Sequence, residues 1–276
     1  MSALKYVNKL QGHRVLVIGG SSGVGFCVAE AALEHGAQVI ISSSNQAKLD
    51  KAVSRLQEHI KAANLGDASR LLSSKTVNLA NPDTVDQSVI ELLEFATKGG
   101  KLDHVVFTAG DALNTTSLKD TTVKDIHAVN QVRNTGAIIV AKHLHKYINS
   151  SVTSSFTLTG GTNTWRPLPN WSVVAFAGGG TEALARGLAV DLRPVRCNLV
   201  RLGAVSTELL DMIPEEHREG VLQGFKDWAI TGTVGTPQEV AEAYVYSMKD
   251  SFATGAIIGT DGGRLVGESK SLFGAI

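Results

Sequence analysis

The chain of 276 residues carries 26 basic and 26 acidic side chains, so its formal net charge is zero, and 43% of its residues are hydrophobic. This balance gives no reason to expect a nucleic acid or an anionic membrane surface as a partner. Because there is no apolar N-terminal segment and no run of 18 apolar residues, we expect a cytoplasmic protein that forms one α/β domain.

The first predicted element is a buried strand, Arg14–Ile18, whose apolar run is closed by glycines. A glycine-rich turn follows, and then apolar residues at helical spacing that end at Gly36. Strand, turn and helix form half of a βαβ unit, in which glycines let the backbone approach a pyrophosphate at the helix N-terminus. The turn residues predicted to bind a dinucleotide are Gly19, Ser21, Ser22, Gly23, Val24 and Gly25.

The second predicted strand, residues 38–42, is followed by Ser43, Ser44 and Asn45, and no acidic residue occurs before Asp50. A site selective for NAD usually has an acid here, which binds the ribose 2′-OH and repels a 2′-phosphate. The hydroxyls and the amide can instead donate hydrogen bonds to phosphate oxygens. The sequence therefore favours NADP(H), although Asn45 is equally suited to cap the next helix.

Strands and helices alternate along the rest of the chain. Further strands are predicted at residues 71–79, 103–108, 155–159, 196–201 and 255–259, and helices at 45–63, 123–148, 173–192 and from Pro237. The alternation predicts one Rossmann-fold domain over residues 1–276, with a doubly wound parallel sheet of about seven strands. Within it, residues 208–233 form a variable segment, in which Phe225 and Trp228 either cover the substrate pocket or anchor the segment.

Six motifs occur in a characteristic order. Gly19, Gly23 and Gly25 fit the pattern TGxxxGxG, with Ile18 in place of the threonine, and the other motifs lie at residues 78–79, 108–110, 128–130, 201–207 and 254–263. Together they resemble the short-chain dehydrogenase/reductase (SDR) superfamily over nearly the whole chain. The resemblance implies further cofactor contacts at Asn78, Leu79, Ala109, Gly110, Asn130, Val205 and Thr207.

The same resemblance places Gly161, Val174 and Gly178 where the superfamily has its catalytic Ser, Tyr and Lys, and it leaves Asn130 as the retained fourth member. In that superfamily the tyrosine donates a proton to the substrate carbonyl, the serine orients the carbonyl, and the lysine holds the nicotinamide ribose. Hydride addition to a carbonyl makes an alkoxide that needs this proton. We therefore do not expect ordinary carbonyl reduction.

The segment at residues 167–171, Pro-Leu-Pro-Asn-Trp, resembles the PDPGW motif of fungal SDR reductases that reduce an iminium and then guide a [4+2] cyclisation in prenylated indole alkaloids. That group has also lost the Ser and Tyr, and its active-site arginine is matched by Arg133. An iminium ion is already cationic, so its reduction needs no proton donor. Leu168 replaces the acid of the motif, whereas Trp171 and Trp165 offer π faces to a cation.

Three functions fit this pattern. The chain is an atypical NADP(H)-dependent reductase of an iminium-like or bulky alkaloid or polyketide-like substrate, a non-redox cyclase or isomerase, or a non-catalytic NADP(H)-binding protein. The candidate catalytic residues are Asn130, Arg133 and Trp171; Arg133 faces the cofactor with Asn130 or forms a salt bridge elsewhere. No metal site is expected. The long apolar helices predict a homodimer or homotetramer.

Overall fold

The computed structural model describes residues 5–110, 116–208, 213 and 215–269. Its strands are β1 Arg14–Ile18, β2 Gln38–Ser43, β3 Leu72–Thr76, β4 His104–Phe107, β5 Ser155–Gly161, β6 Arg196–Leu202 and β7 Ile257–Thr260. Its helices are α1 Gly23–Glu34, α2 Gln46–Ala62, α3 Ala68–Leu71, α4 Val85–Ala96, α5 Val123–Asn130, α6 Ala137–Tyr147, α7 Ser172–Asp191, α8 Glu215–Trp228 and α9 Pro237–Lys249. A π-helical turn, Gln131–Gly136, joins α5 to α6.

The seven strands form one parallel sheet in the order β3-β2-β1-β4-β5-β6-β7. Consecutive residues of β1 enter different cores: Leu16 and Ile18 pack under α4, α6 and α7, whereas Val15 and Val17 pack under α1, α2 and α9. Because both faces are covered, the strand is apolar throughout rather than alternating. The strand order reverses between β1 and β4, so a ligand crevice is expected at their carboxyl ends.

The predicted fold class is confirmed, and three of its elements differ in detail. The strand predicted at residues 71–79 ends at Thr76, because the Asn78 side chain accepts a hydrogen bond from the Ala80 amide and turns the chain. The helix predicted at residues 123–148 is divided by the π turn. The variable segment 208–233, for which no helix was predicted, contains α8, while its residues 209–212 and 214 lie outside the described part.

Helix α7 is long and apolar enough to cross a membrane by length and composition, with a mean hydropathy of 1.2 over an 18-residue window. The prediction of no such helix considered only uninterrupted apolar runs, and α7 contains scattered polar residues. Core helices of globular domains have the same character, and α7 contacts both β5 and β6. Its composition is therefore weak evidence for a membrane.

His104 lies fully buried on β4, where Nδ1 is 2.8 Å from the Ser155 hydroxyl and Nε2 is 3.0 Å from Nδ1 of His13. Burial, followed by the charges of His13 and Arg196, holds the pKa of His104 well below its usual value. As the pH falls, His104 therefore takes up a proton at a higher pH in the unfolded chain than in the folded protein. The free energy of unfolding is therefore not reduced by His104 above about pH 6.5, and it decreases as the pH falls below that value.

We expect the melting temperature to fall between about pH 7.5 and pH 5, and His104→Gln to reduce that fall. The group contributes a slope of at most about 1.4 kcal/mol per pH unit below its unfolded pKa. Thermal unfolding across this pH range measures the effect. The exposed His127→Gln is the matched control and should keep the wild-type slope. Equal slopes for wild type and His104→Gln would contradict the assignment.

Candidate cofactor and substrate site

The turn between β1 and α1 approaches other backbone so closely that side chains do not fit. Gly19 has a φ of +97°, a left-handed conformation that favours glycine. A Cβ placed on Gly25 would lie 2.3 Å from the Gly19 carbonyl oxygen and 2.4 Å from Oγ1 of Thr108. The start of α1 is thereby pressed against the carboxyl ends of β1 and β4, where a dinucleotide would cross the sheet.

The N-terminus of α1 has the properties of an anion site. Ser22 occupies the N-cap position, but its side chain makes no capping hydrogen bond, and the first turn contains no acidic residue. The backbone amides of that turn can therefore donate to a phosphate. On the far side of the turn, a Cβ on Gly23 would lie 3.2 Å from Cγ2 of Thr207, so the loop after β6 closes against the same cradle.

The residues predicted to bind the 2′-phosphate on the adenosine ribose lie at the end of β2. Oγ of Ser21 donates to Oγ of Ser43 over 2.9 Å, which joins the glycine turn to the β2 end. Oδ1 of Asn45 accepts from the Lys48 amide at 2.9 Å, so Asn45 caps α2 and keeps its amide nitrogen available. Ser44 is exposed at the same edge. The two alternatives left open for Asn45 are compatible.

Leu79 was predicted as a cofactor contact, and its side chain lies in the hydrophobic core. Its side chain is 4% exposed and belongs to the core under α6, where it lies close to Gly136. A contact with an adenine would have to use the backbone of Leu79, whose carbonyl already accepts a hydrogen bond from Nε2 of Gln131 at 3.0 Å. The neighbouring Asn78 uses its side-chain oxygen in the turn to Ala80.

The structure separates Arg133 from Asn130, although they were predicted to act together. Atoms of the Arg133 guanidinium lie within 2.6 Å of the position that a Cβ on Gly110 would occupy. Because glycine has no Cβ, the Arg133 side chain can pass against the backbone directly after Ala109. Arg133 lines the main cavity. The Asn130 side chain donates to the Ile126 carbonyl and accepts from Asn134. Asn130 shapes the helix and is not among the described residues that line the cavity.

A cavity of about 750 Å³ opens at the carboxyl ends of β5, β6 and β7. Its lining includes the predicted positions Gly161, Leu168, Trp171, Val174, Gly178 and Val205, together with the unpredicted Asn163, Arg166, Asp261 and Arg264. Among the described residues that line it, none is a tyrosine, a lysine or a serine. The cavity therefore offers aromatic, amide, guanidinium and threonine hydroxyl groups and the carboxylates of Glu239 and Asp261, but its described lining has no tyrosine phenol and no lysine amine.

Neighbouring side chains occupy the space beside two glycines of this cavity. A Cβ on Gly161 would lie 2.5 Å from Oδ1 of Asn163, and a Cβ on Gly178 would lie 2.4 Å from Oγ1 of Thr164. Oγ1 of Thr164 is buried without a hydrogen-bond partner. The short helical turn Thr162–Thr164 thus fills the places where longer side chains at 161 and 178 would begin, which no sequence motif indicated.

The two tryptophans near α7 have different roles. Trp171 stands at the start of α7 and lines the cavity. The Trp165 indole N–H donates to both carboxylate oxygens of the buried Glu182, at 3.0 and 2.9 Å, and its side chain is 61% exposed. Trp165 is not among the described cavity-lining residues, so its predicted π contact with a substrate is not supported.

Helix α8 brings aromatic side chains to the other side of the cavity. Phe225 and Trp228 meet edge to face with their ring centroids 5.6 Å apart, and both line the cavity. The Arg264 guanidinium carbon lies 4.6 Å from the centre of the Trp228 ring. The aromatic residues of this segment thus line the cavity, and Trp228 also contacts the chain after β7, an arrangement compatible with both predicted roles, cover and anchor.

A family model described as an SDR-like Rossmann domain matches residues 6–266. The chain belongs to the SDR family. SDR relatives include the short-chain dehydrogenase/reductase fsr5 of Gibberella fujikuroi, 42% identical over 95% of this chain and 98% of the relative. Another is malC of Malbranchea aurantiaca, 40% identical over 93% and 96% of the two chains. The homologues are named as dehydrogenase/reductases, which identifies this SDR chain as an oxidoreductase.

The solved structure of the MalC reductase/Diels-Alderase from Malbranchea aurantiaca superposes with a TM-score of 0.89. It is 39% identical and covers 94% of this chain and 99% of that one. A small-chain dehydrogenase in complex with NADPH, at 23% identity and a TM-score of 0.72, shares the fold. The SDR Rossmann fold binds a nicotinamide cofactor, and the glycine turn and free amides of α1 fit that group.

Proposed function

We propose that this SDR is an NADPH-dependent reductase of a secondary-metabolism intermediate whose reacting carbon belongs to a cationic group such as a cyclic iminium. The observation that carries the proposal is the cavity at the carboxyl ends of β5, β6 and β7. Its described lining presents Arg133 and Trp171 but no tyrosine, lysine or serine. Such a site suits an electrophile that needs no proton.

The chemistry balances without an acid. When bound at the glycine turn, NADPH would supply a hydride to the carbon of a C=N⁺ group, and the products would be a neutral amine and NADP⁺. The face of Trp171 stabilises the cation before transfer. Arg133, whose guanidinium lies against the backbone at Gly110, would donate hydrogen bonds to a phosphate or a carbonyl oxygen of the cofactor. The Asn163 amide at the cavity wall orients the substrate by hydrogen bonding.

A matched pair of substrates tests this reaction. We expect the protein to oxidise NADPH, followed at 340 nm, with an N-methyl-3,4-dihydroisoquinolinium ion and not with 2-tetralone, a neutral ketone of similar shape. Trp171→Ala should lower kcat/KM by about tenfold through loss of the cation–π contact, and Trp171→Phe should retain most of it. Oxidation with the ketone alone would overturn the proposal.

The NADPH preference gives a separate prediction. We expect NADPH to bind at least about tenfold more tightly than NADH, and Ser43→Asp to reverse the order, because a carboxylate repels the 2′-phosphate and accepts from a ribose hydroxyl. Fluorescence titration measures both dissociation constants. Ser251→Asp adds the same charge at an exposed position after α9 and should change neither constant. A wild-type preference for NADH would contradict the assignment.

A second candidate is a non-redox cyclase, favoured by the similarity to the MalC reductase/Diels-Alderase. Leu168 lines the cavity at the motif position where the PDPGW pattern has an acid, so cation binding would use other lining groups, such as the Trp171 ring and the Asp261 carboxylate. This function predicts that a substrate is consumed while NADPH absorbance stays constant. If neither activity is found but NADPH still raises the melting temperature, the chain is a non-catalytic binder.

We also propose that this chain forms a homo-oligomer through α6 and α7. Three apolar side chains on these helices are solvent-exposed in the single chain: Ile138 by 47%, Phe176 by 62% and Val190 by 59%. Their burial between subunits would remove this apolar area from water. Light scattering tests the assembly.

A further inference from the structure

Arg264, in the turn after β7, is a buried cation at the edge of the cavity. Its side chain is only 9% exposed, and it lines the cavity beside Trp228. Nη2 donates to the Arg166 carbonyl at 3.3 Å, and the guanidinium lies over the Trp228 ring. Within the described chain no carboxylate lies within ion-pairing distance of Arg264; the nearby Glu268 pairs with Arg166 instead.

A second buried arginine shows how this protein satisfies such a group when its role is structural. Arg196 is 3% exposed, and it also lacks an ion pair among the described residues. Its three nitrogens donate to the backbone carbonyls of Val152, Thr153, Ser247, Met248 and Ala253. Arg264 has one such bond, so most of its donors remain for a group in the cavity.

The electrostatics at Arg264 favour an anion. Burial, followed by the neighbouring positive charge of Arg166, lowers the pKa of Arg264 by more than the nearby carboxylates of Glu268 and Asp261 raise it. Asp261 also lines the cavity, but one of its carboxylate oxygens accepts from the Gly263 amide. A buried cation without a counter-ion destabilises the fold. A ligand anion that accepts two guanidinium bonds would offset this.

We propose that Arg264 and Trp228 form an anion subsite that binds a carboxylate or enolate oxygen of the substrate. The subsite lies between α8 and the turn after β7, whereas Trp171 and Arg133 approach the cavity from other elements. The inference rests on the proposed function only in taking this cavity as the substrate site. It deepens that function by requiring a substrate with an acidic oxygen in addition to its reducible group.

The test compares indole-3-acetate with the neutral indole-3-acetamide, titrated calorimetrically into the protein with NADPH bound. We expect the carboxylate to bind at least about tenfold more tightly, the effect of a charge-assisted hydrogen bond. Arg264→Met should reduce this preference to less than about threefold and leave NADPH affinity unchanged. The matched control Arg193→Met, at an exposed arginine that is not among the described residues lining the cavity, should keep the preference.

Stability gives an independent readout. Because Arg264 lacks a counter-ion among the described residues, Arg264→Met should leave the melting temperature unchanged or raise it. A large loss of stability, or equal binding of the two probes to wild type, or no carboxylate binding at about 10 mM, would overturn the subsite. Failure of iminium reduction with the carboxylate preference intact would instead overturn only the proposed reaction.

Discussion

Gly25→Ala is expected to abolish NADPH binding. The added methyl group would stand 2.3 Å from the Gly19 carbonyl oxygen and 2.4 Å from Oγ1 of Thr108. The first contact is with backbone, so it cannot be relieved by rotating a side chain. The first turn of α1 must then move away from β1 and β4, and its amides lose their alignment on the pyrophosphate.

We expect the affinity for NADPH to fall by at least about a hundredfold, equivalent to about 2.7 kcal/mol of lost phosphate hydrogen bonds. Fluorescence titration measures the loss, and circular dichroism verifies that the sheet remains folded. The control is Gly187→Ala on α7, where a Cβ would meet nothing within 4 Å. It should bind NADPH normally and gain about 0.5–1 kcal/mol in stability, because alanine favours a helix. Normal NADPH binding by Gly25→Ala would show that this turn does not hold the cofactor.

Arg196→Met should produce the largest loss of stability. Arg196 lies at the start of β6 and donates five hydrogen bonds to carbonyls of α9 and the loops beside it. Methionine fills a similar volume but leaves these buried acceptors without donors. Each unsatisfied buried acceptor costs about 1–3 kcal/mol, so we expect a loss of at least about 3 kcal/mol.

Urea denaturation followed by tryptophan fluorescence measures this loss as a lower midpoint. Arg193→Met is the matched control, since Arg193 is exposed and donates one hydrogen bond, to the Val190 carbonyl at 3.2 Å. Its midpoint should change little. The contrast with Arg264→Met, for which no loss is expected, distinguishes an arginine that holds the fold together from one whose donors face the cavity. Similar midpoints for Arg196→Met and wild type would refute the structural role.

Much of the architecture could be predicted because its signals are local. The run Arg14–Ile18, the glycines after it and the helical spacing beyond them each reflect the chemistry of adjacent residues, and the structure has them within a residue or two. Strand β3 was predicted too long, because the turn at Asn78 depends on one side-chain hydrogen bond that periodicity does not record. Helix α8 was not predicted, since its mainly polar sequence lacks a strong apolar stripe.

The site could be predicted only in outline. Arg133 and Trp171 do line one cavity, but Asn130 forms its bonds inside the helix and Trp165 binds Glu182 instead of facing the cavity. In each case the residue spacing was correct, but spacing does not specify which neighbour a side chain contacts. Asn163 belongs to no motif, and its position at the cavity wall becomes evident only beside Gly161.

The parallel sheet and the glycine turn follow from local sequence, because backbone conformation and burial pattern depend on residues close in the chain, and the missing acid after β2 is read directly from it. Which charged side chains find partners depends on the folded structure. Arg166 and Arg264 are 98 residues apart, yet each donates to the other's carbonyl. The pairing of Arg166 with Glu268 leaves Arg264 facing the cavity. Such a relation arises from how β5 and β7 place their following loops together, and no local pattern encodes it.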